Sequence, residues 1–379
     1  MNTIFVGLAG VPYRARACDT RLTFIAKMVG VNSSVTILNR YSSLKSSKID
    51  VLQGDDIQIE EIIKPRRTGE LITKILFVLS ILIEPYTLYK LNRKEHVDII
   101  HIYSEHFFDF ILYWLVSKIT GSKTVFEYVE YRSAFPVRDI FHRVEYFLYD
   151  RYAAKFCDGV IAISEFLKDA AVRVNPHIKV FKIPPICDFE YFDTVQAKNF
   201  NKSSLVYCGS INYREVVEFI INSYKKAGIF DKCDLILILS GNGGTIEQVK
   251  HMCNENIKIV SKLPYEELIS YYKGATALLI PLMNKTSEIA RFPNKIAEYL
   301  ASRGLIITTN YGEIPFYFKD GQNAVIADDC DIESFSNKLK TVIDEVDIKA
   351  VKENAYKTGR QFFSVESYIN DFYKFAQSL

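Results

Sequence analysis

Lys295, Glu298 and Tyr299 stand three and four residues apart in Phe292-Pro-Asn-Lys-Ile-Ala-Glu-Tyr-Leu-Ala-Ser-Arg-Gly304. On a helix that spacing brings a cation and a carboxylate to one face. Ile296 with Leu300, and Ala297 with Ala301, make a second face that is apolar. Pro293 suits the first helical turn, where its missing N–H would lack a partner anyway, and Gly304 suits a left-handed residue ending the helix. Ala275-Thr-Ala-Leu-Leu-Ile-Pro281 precedes this segment and Leu305-Ile-Ile-Thr-Thr309 follows it, so the order is strand, loop, helix, strand. In an open parallel sheet, anions such as diphosphates bind beyond the carboxyl end of a strand, at a helix N-terminus. The turn Arg291, Phe292, Pro293, Asn294, Lys295 is therefore the expected phosphate cradle. The alternative for Lys295 and Glu298 is an ordinary helix-surface pair, with the lysine stem lying over apolar neighbours.

The elements that hold such a turn must come from a chain of 379 residues, a length that favours two domains, and 49% apolar residues are ample for two cores. Forty-seven basic residues nearly balance 45 acidic ones, so no nucleic-acid partner is expected and any anion site must be local. Seven cysteines without a C-x-x-C pair argue against a disulfide framework or a zinc site and fit a reducing compartment. No metal ligand set is expected. Met1-Asn-Thr-Ile-Phe-Val-Gly7 reads as a strand rather than a secretory signal, which makes the cytoplasm the expected location.

Short apolar runs alternate with helical stretches, predicting α/β architecture with parallel sheets covered on both faces. Strands are predicted at 3–7, 35–39, 98–103, 123–129, 159–164 and 180–184, with helices at 70–93, 107–120, 138–156 and 165–174. A polar segment without period, 187–204, reads as a linker. Strands then resume at 205–209, 235–240, 257–263, 277–281, 305–309 and 324–327. Two doubly wound, Rossmann-like domains follow, 1–186 and 205–361, facing a central cleft. Tyr368, Phe372, Phe375 and Leu379 form one stripe of a terminal helix, 362–379, that is expected to return to the first domain.

The longest apolar run, Ile75 to Ile83, is broken by Glu84 and Pro85, well short of the ~20 residues a spanning helix needs. Pro85 is expected to kink or end its helix. Lys64, Arg66, Arg67 and Lys74 precede the run, and Lys90, Arg93 and Lys94 follow it. Two readings stand: a buried core helix, or an interfacial helix on anionic lipid.

In the first half, Gly7-Leu-Ala-Gly-Val-Pro-Tyr-Arg-Ala-Arg16 follows a strand as a glycine-containing loop. Gly10 lets a phosphate approach backbone N–H groups there, with Arg14 and Arg16 as cations or as plain exposed charges. It is not G-x-G-x-x-G, so no dinucleotide cofactor is indicated. His101 lies within a strand and reads as a satisfied buried histidine, whereas His106, beside Glu105 at a helix start, is a candidate for the cleft.

Leu205-Val-Tyr-Cys-Gly-Ser-Ile-Asn-Tyr-Arg214, Leu239-Ser-Gly-Asn-Gly243, Val260 through Pro281, the helix above, Gly312-Glu-Ile and Lys319-Asp-Gly-Gln-Asn-Ala-Val-Ile326 occur in a telling order. Together they resemble the donor domain of the retaining GT-B fold glycosyltransferases of family four, and Val160 to Lys168 and Ile183 to Asp188 extend the likeness into the first half. The resemblance implies a donor that is a UDP- or GDP-sugar, with Gly209, Arg214 and Gly241 among its contacts, no metal, and Glu298 on the ribose. Arg214 has the alternative of a solvated arginine opening its helix. Relatives carry a first glutamate seven residues before the second, where this chain has Ala290, with Glu288 two residues earlier as the candidate. Relatives also place a histidine where this chain has Val129, followed by Glu130. An inverting enzyme needs a general base against the acceptor hydroxyl, a role open to Glu105, Glu127 or Glu130, whereas in retention a donor phosphate oxygen takes that proton. The resemblance implies retention, with a glycan acceptor, lipid-linked in the surface-polysaccharide relatives, and peripheral contact with the inner face of the membrane. A nucleotide-sugar epimerase, or a catalytically silent nucleotide-sugar-binding partner, are the alternatives.

Overall fold

The computed structural model describes residues 1–7, 17–40, 57–62, 70–137, 139–241, 243–344 and 348–379. They form two compact units, Met1–Ile186 with Val365–Leu379, and Cys187–Ser364. Each unit is built on one parallel sheet whose strands are largely buried, which is why they read as near-continuous apolar runs.

The first unit contains β1 (Asn2–Gly7), β2 (Ser34–Asn39), β3 (Ile57–Glu61), β4 (Ile99–Tyr103), β5 (Lys123–Tyr128), β6 (Gly159–Ala162) and β7 (Lys179–Lys182). Their order is β3-β2-β1-β4-β5-β6-β7. Its helices are α1 (Ala17–Gly30), α2 (Glu70–Lys94), α3 (Phe107–Thr120), α4 (Ile140–Tyr152) and α5 (Glu165–Val174). Ser164 caps α5 by accepting from the Leu167 amide at 3.2 Å. The second unit contains α6 (Phe189–Thr194), β8 (Ser203–Ser210), α7 (Arg214–Ala227), β9 (Cys233–Ser240), α8 (Gly243–Lys250), β10 (Ile257–Val260) and α9 (Tyr265–Gly274). It continues with β11 (Ala277–Leu279), α10 (Thr286–Ala290), α11 (Lys295–Ala301), β12 (Ile306–Thr309), α12 (Ile314–Tyr317), β13 (Val325–Ala327), α13 (Ile332–Asp344) and α14 (Ile348–Phe362). The sheet order is β10-β9-β8-β11-β12-β13. The chain closes with α15 (Ile369–Ser378), where Tyr368, Phe372 and Phe375 pack around Phe181 of the first unit at 5.5 to 6.5 Å.

In both sheets the strand order reverses once, between β1 and β4 and between β8 and β11, and such reversals open a crevice at the carboxyl ends of the strands. At the first reversal Gly7 has φ 106°, and a Cβ there would lie 2.3 Å from the Tyr103 carbonyl oxygen. Only glycine lets β1 run this close to the end of β4.

Several sequence expectations need correction. β3 was not expected; it is a five-residue edge strand with only two apolar residues, Ile57 and Ile59. Pro85 lies inside α2, which continues to Lys94. Residues 187–204 belong to the second unit and carry α6, capped by Asp188, too short for a period to show. The left-handed residue after α11 is Arg303, φ 57°, not Gly304. Arg303 donates to the Leu300 carbonyl and Gly304 to that of Tyr299, both at 3.0 Å, the bonds of a Schellman end. Gly304 is needed for space, because a Cβ would sit 2.1 Å from Leu278 Cδ1.

On α2, Ile75, Val78, Leu79, Leu82, Ile83 and Tyr86 are exposed, while Ser80, Glu84 and Leu88 are buried. Of the two readings for this run, the core helix fails on one face: the apolar stripe points outward.

Candidate functional site

The loops after β8 and β11 meet at the reversal of the second sheet. The Arg291 guanidinium lies over the Tyr213 ring at 4.1 Å, and Lys285 pairs with Glu215, so the β11 loop is tied to the start of α7. The Cys208 amide donates to the Tyr299 hydroxyl at 3.0 Å, binding α11 to the end of β8. Thr309 holds the same loop from β12, accepting from the Leu282 amide at 2.8 Å and donating to its carbonyl at 2.6 Å.

Two cation–carboxylate pairs lie in this segment, each three residues apart. Arg291 contacts Glu288 at 2.6 Å, and Lys295 contacts Glu298 at 2.7 Å. The carboxylates are the buried members, 7% and 2% exposed, whereas Arg291 and Lys295 are 18% and 28% exposed. An incoming anion therefore meets the cations first. Tyr265 donates to Glu298 Oε1 at 3.5 Å, and the Lys295 ammonium lies 5.9 Å from the Tyr272 ring centre. Burial disfavours the Lys295 charge, but Glu298 outweighs it and raises the ammonium pKa. Burial pushes the Cys187 and Cys208 thiols up, so neither beside this pair is a thiolate nucleophile. Because α11 has only seven residues, the side chains rather than its dipole carry the positive field.

The remaining expected donor contacts are placed as follows. Phe292 is buried against Tyr317 and Phe363, Pro293 accepts from the Ile296 amide at 3.1 Å, and Asn294 precedes α11 in helical conformation. Gly209 lies in β8, and Gly241 follows β9 with φ 118°. Arg214 is half-exposed, pairs with Glu218 at 2.6 Å and donates to Gln248 at 3.0 Å, along the surface of α7 toward α8. Those partners belong to the solvated alternative. Gly10, Arg14 and Arg16 lie outside the described residues.

In the first unit a polar cluster forms beyond β4 and β5. Arg132, which the sequence reading missed, bridges Glu105 at 3.1 Å and Glu130 at 3.2 Å. Its signal was its position two residues after Glu130, in the turn leaving a buried strand. Asp150 fixes that turn, accepting from the amides of Arg132 and Ser133 at 3.2 and 2.6 Å and from the Tyr128 hydroxyl at 3.0 Å. His106 contacts both oxygens of buried Glu145 at 3.2 Å. His101 is structural: it stacks on Phe5 and contacts Glu127 at 2.9 Å. Although burial alone would raise the Glu127 carboxyl, Arg21 at 2.6 Å and His101 hold it below its usual value.

The Glu145 hydrogen bond raises the His106 pKa above its ordinary 6.5, outweighing burial. An NMR titration of His106 should give a midpoint above 6.5, which Glu145→Gln should lower. Because the folded value is the higher one, His106 contributes stability fully below its unfolded pKa and loses it as pH rises through the folded one. A midpoint unmoved by Glu145→Gln contradicts the assignment.

Among the described residues no group of three or more His, Cys, Asp or Glu is arranged to hold a metal ion, and no helix is long and apolar enough to cross a membrane. Residues 188–358 match the family described as Glycosyl transferases group 1, a span lying within the second unit. An uncharacterized glycosyltransferase of Methanocaldococcus jannaschii, MJ1069, is 22% identical over 315 residues, covering 78% of this chain and 77% of that protein. Sucrose-phosphate synthase from Thermosynechococcus elongatus superposes with TM-score 0.76 at 13% identity, over 100% of this chain and 98% of that one. Anabaena Alr3699/HepE, in complex with UDP and glucose, gives 0.74 at 14% identity over 100% of both chains. The lipopolysaccharide outer core galactosyltransferase WaaB gives 0.63 at 15% over 100% of this chain and 99% of that one. The architecture is the GT-B fold. With the family match it supports a glycosyltransferase.

Proposed function

We propose that this chain is a retaining glycosyltransferase that moves a sugar from a nucleoside diphosphate onto a hydroxyl of a glycan acceptor, using side-chain cations rather than a metal ion. One observation carries the reading: the segment matched to a glycosyltransferase family contains both ion pairs at the reversal of its sheet, where parallel sheets bind nucleotides. Without donor the pairs neutralise themselves. When the diphosphate arrives, Lys295 and Arg291 turn to its oxygens, which frees Glu298 for the ribose hydroxyls and Glu288 for the sugar side. As the glycosidic bond breaks, negative charge grows on the diphosphate, and prepositioned cations favour that state over the ground state. In retention a phosphate oxygen takes the acceptor proton on the same face. The cluster of Glu105, His106, Glu130 and Arg132 is offered as the acceptor contact of the first unit.

The base is uracil in this reading, because the HepE structures hold UDP or UDP-glucose; a GDP-sugar is the alternative. WaaB, a lipopolysaccharide outer core galactosyltransferase, supports an acceptor of the surface-polysaccharide kind; in this reading that acceptor is lipid-linked and is reached from the cytoplasmic side. A thermal-shift panel of nucleotide sugars tests the donor, since the preferred one stabilises the folded state by mass action. UDP-sugars should raise the melting temperature most; a panel without any shift sinks the reading. Nucleotide release only when glycan is present identifies a transferase, and an isomerised free donor identifies an epimerase. Tight donor binding without transfer identifies the silent partner that Ala290 and Val129 leave open.

A further inference from the structure

We infer that the outer face of α2, α3 and α4 in the first unit is a docking surface for an anionic lipid bilayer. Thirteen of the nineteen large apolar side chains exposed among the described residues lie on these three helices. The crossovers into β4, β5 and β6 all run one way across the sheet, so right-handed connection sets the three helices side by side on one face. To the α2 stripe, α3 adds Leu115 and Ile119, and α4 adds Ile140, Val144 and Phe147, with Ile119 and Ile140 71% and 70% exposed. Phe108 of α3 stacks on Phe141 of α4 at 5.9 Å, both exposed, so the apolar surface is continuous between those helices.

Charge decides what covers it. The described carboxylates within these helices, Glu84, Asp109, Glu145 and Asp150, are all buried. The cations Lys90, Arg93, Lys94, Lys118, Arg143 and Arg151 are all exposed. Asp139, which caps α4, is exposed, but it is engaged by the Phe141 amide and by His142. Lys90 lies 5.8 Å from the Tyr86 ring centre and Lys118 6.0 Å from that of Trp114, an amphipathic pairing suited to a headgroup layer. A second copy of the same face would set these cations against their own kind. Anionic headgroups over acyl chains satisfy both the charge and the apolar stripe.

The test is co-sedimentation of the full chain with phosphatidylcholine vesicles, with and without about 30% phosphatidylglycerol. Binding should require the anionic lipid and be lost at about 0.5 M salt. Leu82→Ser with Ile119→Ser, and Lys118→Glu with Arg143→Glu, should each weaken binding about tenfold or more. Both pairs are on the surface, so their melting temperatures should match the parent; if one pair lowers it, the salt titration of the parent decides. Equal binding to both vesicles, or to neither, overturns the proposal. So does a self-association, seen in sedimentation velocity, that the Leu82 and Ile119 changes abolish. The readout contains no sugar donor, so its failure leaves the glycosyltransferase reading standing.

Discussion

Glu298→Ala is expected to weaken donor binding by about 10²–10³-fold, and Glu288→Ala by only about tenfold. Glu298 is 2% exposed and holds the part-buried Lys295 at 2.7 Å, so its removal takes away both the buried carboxylate meant for the ribose and the partner of that ammonium. Removing one member of a fully buried pair costs roughly 3–5 kcal/mol of folding stability, and less here because Lys295 is partly exposed; the donor loss comes from the ribose hydroxyls, whose hydrogen bonds to a carboxylate contribute about 1.5–3 kcal/mol each. Glu288 differs in what its loss strands: Arg291 keeps the Tyr213 ring at 4.1 Å. Calorimetry with the donor preferred in the thermal-shift panel separates the two carboxylates. The stability share is separated by Lys295→Met with Glu298→Leu, which removes both charges and should melt closer to the parent than Glu298→Ala while still binding donor poorly. Equal or reversed effects of the two single alanine variants would undo the assignment of Glu298 to the donor.

The two ion pairs of this site were within reach of the sequence because their members lie three residues apart, where helical spacing alone predicts contact. What joins the pairs to the rest was not. Tyr265 reaches Glu298 across 33 residues of chain, and Tyr213 reaches Arg291 from the far side of the sheet reversal. No periodicity reports such contacts. Long buried strands such as β1, β8 and β9 announced themselves because both faces must be apolar, while β3, an edge strand of Ile57-Gln-Ile-Glu-Glu, had no such need. The α2 stripe shows the converse limit. Hydrophobic period fixed which residues share a face but not whether that face meets the core, and the structure turned it outward. At the end of α11, glycine was expected for its backbone freedom; instead its missing side chain makes room for Leu278, and Arg303 takes the left-handed position with its guanidinium over Tyr356 at 3.8 Å.

Buried charge is the feature that sequence conceals most completely, and it sets the second large expectation. Arg40 donates to Glu84 at 2.6 Å, to Asp109 at 2.5 Å and to the Tyr113 hydroxyl at 2.6 Å, and that hydroxyl donates to Glu84 at 2.8 Å. The other Glu84 oxygen accepts from the Gly7 amide at 2.8 Å. All four side chains are buried, so the network fastens the ends of β1 and β2 to α2 and α3 at the reversal of the first sheet. Glu84→Ala should cost the first unit about 3–5 kcal/mol, because Arg40 then keeps its charge in the interior with one carboxylate fewer. Arg40→Met with Glu84→Ala should cost less than the two single changes together, by about 1–3 kcal/mol, since Arg40 and Glu84 then no longer strand each other and only Asp109 is left without its cation. Calorimetric unfolding resolves this if the two units melt apart; where they do not, amide exchange in β1 and β2 reports the same loss locally. Strict additivity would show that Arg40 and Glu84 act independently despite their contact. Coupling of the expected size would mean that the carboxyl end of β1 at Gly7, where the crevice of the first sheet opens, is held in place by a charge network that joins the ends of two strands to two helices.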